Sequence, residues 1–143
     1  MGTRRKSREC ALQILYLYDI TNLSLDEIET SFWGSLKNTP TKIKEFAQQL
    51  VRGTIQNREK IDAIISKYAE NWEINRMVTT DRNILRQASF ELISLLDIPV
   101  KVIINEAVDI AKKFGTQESG RFVNGILDKI KEERETAKNK KER

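Results

Sequence analysis

The sequence contains no histidine. That absence removes the commonest general base, the usual metal ligand and every Ser-His or Cys-His nucleophile pair. The single cysteine, Cys10, can make neither an internal disulfide nor a zinc cluster, and it suits a small buried side chain in a reducing compartment. Six glycines and two prolines leave few turn positions, which favours helices over a sandwich or barrel. No apolar run follows the basic start and no stretch approaches a membrane span, so neither a signal peptide nor a membrane segment is expected, and the cytoplasm is the default compartment. A myristoylation signal would need Ser or Thr where Lys6 stands. There is no G-x-G-x-x-G, no Walker loop and no nucleophile elbow, so no cofactor or metal is expected and an enzyme is not.

What is present fits one helical domain. A chain of 143 residues can bury roughly 70% of the surface its unfolded form exposes. Of its residues 39% are hydrophobic and 32% charged, with a net charge of +4. The distribution of that charge is more informative than its sum. The first eight residues hold Arg4, Arg5, Lys6 and Arg8 with no acid, residues 129–143 hold seven bases and four acids, and the stretch between carries 14 bases against 17 acids. A slightly acidic body therefore has two basic ends.

Apolar residues recur at helical spacing almost throughout. Ala11, Ile14, Leu15 and Tyr18 form a first stripe, widened by Leu12 and Tyr16, and Thr21-Asn22 ends it. A short helix is predicted from about Asp26 to Leu36, capped by Ser24. After Pro40, a long pattern runs from Thr41 to Trp72, with Gly53 either dividing it or marking a close crossing. Thr80 and Asp81 open another helix on Ile84, Leu85, Ala88 and Leu92, and Pro99 separates it from the stripe Val102 to Phe114, stopped by Gly115. A last helix from about Gln117 buries Phe122, Val123, Ile126, Leu127 and Ile130, with Gly125 read as a close helix contact. That makes six to seven helices in an all-α domain over residues 1–130. Beyond Ile130 only Ala137 is apolar, so residues 131–143 are expected to be a charged, frayed tail.

Two segments suggest binding chemistry. Four cations near the start of an amphipathic helix oppose its macrodipole by about 0.3 to 1 kcal/mol for a group in the first turn, so an anionic partner is one reason to keep them. Arg5 and Arg8 are the first candidates to position such an anionic partner. If about four cations met single-stranded RNA phosphates, log affinity would fall with log salt at a slope of roughly −3. The second segment runs from Lys112-Lys113-Phe114-Gly115 to Arg121-Phe122-Val123-Asn124-Gly125, where bases, aromatics and an amide suit unpaired RNA bases. Glu106 and Asp109 share a helical face and read as ordinary surface.

Together these pieces resemble the NusB family of bacterial transcription antitermination proteins. The resemblance rests on Arg8-Glu9-Cys10-Ala11, Leu50-Val51-Arg52-Gly53, Asp81-Arg82, Asp97-Ile98-Pro99-Val100, Ile104-Asn105-Glu106-Ala107, Ala111-Lys112-Lys113-Phe114-Gly115 and Arg121-Phe122-Val123-Asn124-Gly125-Ile126-Leu127-Asp128, in that order. It implies two packed three-helix groups and binding to single-stranded boxA RNA of ribosomal RNA operon transcripts, together with ribosomal protein NusE and the elongating RNA polymerase complex. The RNA-binding residues it implies are Arg4, Arg5, Lys6, Arg8, Tyr18, Phe114, Glu118, Arg121, Phe122 and Asn124; those facing NusE are Tyr68 and Asp81. Glu118 stands where many relatives have Asp, and Asp81 where many have Glu. The alternative is a protein-interaction module or homodimer acting mainly in ribosomal RNA maturation without strong RNA binding.

Overall fold

The first stripe forms a helix, α1, over Thr3–Ile20 in the computed structural model, which describes residues 2–142. Gly2 is its N-cap and gives no side-chain cap, and the basic segment Arg4 to Arg8 lies within the helix. Helix α2 spans Leu25–Ser35, and the Ser24 hydroxyl accepts the Glu27 N–H as its cap. The long pattern divides at Asn57, into α3 (Thr41–Gln56) and α4 (Arg58–Tyr68). Gly53 instead marks a close crossing, since a Cβ there would stand 2.0 Å from the Phe90 ring.

A single 3-10 turn, Ile74–Arg76, leads into α5 (Thr79–Ser94). This helix is buried without a break from Asn83 to Ile93, because helices surround it. Helices α1 and α3 pack on one another and on α5, with α2 against α1. Helices α6 (Val100–Phe114) and α7 (Gln117–Ile130) pack likewise, and α4 contacts α5 and α7. The two helical groups implied by the resemblance thus meet across α5, around the fully buried Ile14, Leu50, Leu85, Leu92 and Leu127. Among the described residues no helix is long and apolar enough to cross a membrane.

Two expectations change. At Gly125 a Cβ would meet nothing within 4 Å, so that glycine is no close contact; in α7 the tight approach is at Gly120, against the Lys112 side chain of α6. The chain also continues as a helix after Ile130. Residues Glu133–Glu142 form α8, because the Arg134 guanidinium is buried among carbonyl oxygens of Glu91, Leu92, Leu95, Leu96 and Ile98. A cation at those carbonyls also complements the negative end of the α5 dipole.

Candidate nucleic-acid interface

The four cations of α1 divide by their register on the helix. Arg8 points inward and is 3% exposed, where its Nε and Nη2 donate to Glu91 of α5 at 2.8 to 3.1 Å and its Nη1 donates to Glu106 of α6 at 3.3 Å. Burial pushes the Glu91 carboxyl up, while the hydrogen bonds and charge of Arg8 pull against it. Arg5, one turn earlier, donates its Nε to Glu106 at 2.9 Å and its Nη2 to Glu106 and Asp109. Hydrogen bonding to Glu106 raises the Arg5 pKa, and the same bond holds Glu106 below the usual glutamate range. Glu106 and Asp109 are therefore acceptors for Arg5 rather than ordinary surface. The remaining two cations, Arg4 and Lys6, are exposed and form no ion pair among the described residues. The Arg4 guanidinium lies over the Phe46 ring at 4.4 Å.

Long side chains bridge α1 and α6 at successive positions, so cross-links join the two segments that the sequence singles out. After the Arg5–Glu106 pair comes Lys113, whose Nζ donates to both oxygens of Glu9 at 3.0 Å. Beyond it the Phe114 ring borders a groove of about 410 Å³ with Leu12, Gln13, Tyr16, Leu17, Phe32 and Thr80. Phe114 is 40% and Tyr16 37% exposed, well above what core rings show. Tyr18 is half-buried and packs against the core. The aromatic residue of α1 that accompanies Phe114 is thus Tyr16, although its spacing widens the core stripe. The one sequence signal for it is the polar Gln13, which shares its helical face at three residues' spacing.

The turn into α7 is closed by a capping box between Thr116 and Ser119, which fixes where the next side chains emerge. Glu118 and Arg121 pair with each other on the surface, and Asn124 is exposed. Phe122 is half-buried and makes an edge contact with Trp72, their ring centroids 5.3 Å apart. Trp72 itself is largely exposed, as is Val78. Tyr68 is half-buried at the end of α4, with Lys67 Nζ 5.0 Å from its ring centre. Asp81 lies beneath the surface at 6% exposure, near Ser119, and its Oδ1 has no hydrogen-bond partner among the described residues. Burial pushes its carboxyl up.

A further polar hub fixes this end of the molecule. Asp19, at the end of α1, accepts from Arg82 and Asn83 at 2.9 Å and from Arg86 at 3.2 Å; Arg86 also donates to Asp62 of α4 at 2.8 Å. Burial pushes the Asp19 carboxyl up, but the bonds from Asn83 and Arg82 and the charges of Arg82 and Arg86 outweigh it and leave it below the usual range. The hub holds α1, α4 and α5 together. Nothing in local periodicity points to it, since its members come from three separate helices.

Comparison with known proteins gives the same grouping. The model of the NusB family matches residues 5–132. A transcription antitermination protein NusB of Thermodesulfovibrio yellowstonii is 46% identical over 139 residues, covering 91% of this chain and 92% of the relative. One from Trichlorobacter lovleyi is 47% identical over 130 residues, covering 91% of each. Among solved structures, T. maritima NusB superposes with a TM-score of 0.82 at 41% identity, covering 91% of both chains. A structure of the antitermination factors NusB and NusE with double-stranded RNA superposes with a TM-score of 0.85 at 30% identity, covering 92% of this chain and 98% of the other. By its sequence over nearly its whole length and by its helical architecture, the chain belongs to the NusB family.

Proposed function

We propose that this protein is a transcription antitermination factor that binds boxA RNA of ribosomal RNA operon transcripts together with NusE, in the elongating RNA polymerase complex in the cytoplasm. It acts by binding and not by catalysis. The observation that carries the reading is the seam along α1 and α6, which leads from the exposed cations Arg4 and Lys6 to the exposed rings of Tyr16 and Phe114. Cations supply sequence-independent attraction to phosphate, and exposed rings give unpaired bases a surface on which to stack. Arg121, Glu118, Asn124 and the edge of Phe122 extend the same surface past the α6–α7 turn. Arg5 and Arg8 support it from below, as positioning residues held by Glu106 and Glu91. The family relationship supports the same reading, as does the relative solved with NusE and RNA.

For NusE the chain offers Tyr68 with the exposed Trp72 and Val78, and Asp81 acts on that face through its position under Ser119 rather than by direct contact. The RNA reading is tested by fluorescence anisotropy with labelled boxA RNA, single-stranded and as a duplex with its complement. Preferential binding of the single strand, weakened by Phe114→Ala, is expected; equal affinity for both forms, indifferent to that substitution, overturns the stacking role. The partner face is tested by binding of purified NusE to a Tyr68→Ala, Trp72→Ala variant. Undiminished binding would place that interface elsewhere.

A further inference from the structure

Helix α8 lies outside the stretch that the family model matches, which ends at residue 132. A ten-residue helix of this composition would not persist alone in water, so its placement needs a cause. Arg134 supplies one: Nε donates to Leu92 O, Nη1 to Leu96 O and Ile98 O, and Nη2 to Glu91 O and Leu95 O, at 2.6 to 3.2 Å. Every N–H of a guanidinium is thereby used. Glu133 adds an ion pair to Lys67 of α4 at 3.5 Å, and Ala137 is half-buried. Acidic residues occupy the first turn of α8 and Lys140 and Lys141 the last, in the order the helix dipole favours.

Anchored in this way, α8 brings Lys141 back to the start of α1. Lys141 lines a cavity of about 600 Å³ together with Arg4, Arg5, Arg8, Phe46 and the chain from Ser94 to Pro99. Two acids also line it. Glu106 is already engaged by Arg5 and Arg8, which leaves Asp97 against Arg4 and Lys141, neither of which has a carboxylate partner among the described residues. Arg4 is oriented by its stacking on Phe46. An oriented guanidinium facing an ammonium across an open cavity suits a phosphate group, the first through directed donors and the second as a point charge.

We propose that α8 adds a phosphate-binding site to the RNA surface, in which Arg4 and Lys141 hold one phosphate of the RNA backbone at the end of the seam farthest from Phe114. The proposal rests on the RNA-binding reading above and assigns the C-terminal helix to the same task. Arg134 is its positioning residue. The test is the affinity of the full chain for single-stranded boxA RNA between 50 and 200 mM salt. Replacing both cations, Arg4→Gln with Lys141→Gln, removes that phosphate contact and is expected to lower the salt slope by about 0.7 and the affinity about 8-fold at 50 mM and about 4-fold at 150 mM, with Lys141→Gln alone giving part of the fall. Lys37→Gln, which removes an equal charge from the α2–α3 loop, should leave the slope unchanged. Arg134→Gln, which frees α8, should reproduce the loss, and adding Lys141→Gln to it should then change nothing more. An unchanged slope for Lys141→Gln while the parent chain binds RNA overturns the role of α8 alone. An equal fall for Lys37→Gln reduces the effect to net charge and overturns the site. A Lys141→Gln variant that keeps RNA affinity but loses NusE binding assigns the edge to protein contact, again against the proposal. A parent chain that does not bind the RNA overturns this inference and the functional reading together.

Discussion

Arg8 and Arg121 are the same residue type in the same domain, yet they occupy opposite regimes. Arg8 is enclosed between α1, α5 and α6 and gives its donors to Glu91 and Glu106. Arg121 stands on the turn-proximal face of α7, 76% exposed in its side chain, and among the described residues pairs with Glu118 alone. A charge taken out of water must be matched by a partner, whereas one left in water gains little from a surface pair and stays free to meet a ligand. Buried cations therefore build the domain, and exposed ones define what it can bind.

The sharpest break of that contrast is Arg8→Gln. It leaves Glu91 buried without its cation, and urea denaturation should show a loss of about 3 to 5 kcal/mol. Next comes Phe114→Ala on the exposed side. It should weaken single-stranded RNA by about 1 to 3 kcal/mol in anisotropy titrations, while the urea midpoint changes far less than for Arg8→Gln. Glu106→Gln probes the boundary between the regimes, and should cost about 1.5 kcal/mol at neutral pH through its charged hydrogen bonds. Because the folded Glu106 pKa lies below its ordinary value of 4.5, its contribution is full above that pH and disappears as pH falls through the folded value. The difference between parent and variant in urea midpoint should accordingly close on acidification below pH 4.5, and a gap that widens instead would contradict the assigned pairing. Smallest is Gly125→Ala, at an exposed helix position with open space for a methyl group. It should raise stability by about 1 kcal/mol in the same denaturation assay.

The contrast also shows what could be read from the chain and what could not. Ile84, Leu85, Ala88 and Leu92 announce α5 because core-facing residues must repeat at the helical period. Ser24 and Pro99 mark helix starts for equally local reasons. The fate of Arg8 is not local, since Glu91 lies 83 residues away. Without that partner, a run of cations at a helix start resembles a ligand-binding arm, and only Arg4 and Lys6 of the four are left to be one. Helix α8 was invisible for a related cause: its anchor is one arginine bonded to carbonyls 36 to 43 residues earlier, and it has no apolar stripe. Tyr16 and Tyr18 are both aromatics of α1, and only their surroundings tell them apart, the groove shared with Phe114 for one and the core for the other. Asp81 reads as an acidic surface contact in sequence and proves to be buried.

The division of the α1 cations is best tested by replacing Arg4 and Lys6 together with Gln and measuring boxA RNA affinity across a salt series, with stability measured alongside. The account predicts a salt slope lower by about 0.7 to 1.4, at roughly 0.7 per phosphate contact with the Arg4 phosphate still met by Lys141, and stability reduced by no more than about 1 kcal/mol from the lost stacking on Phe46. An unchanged slope would contradict it.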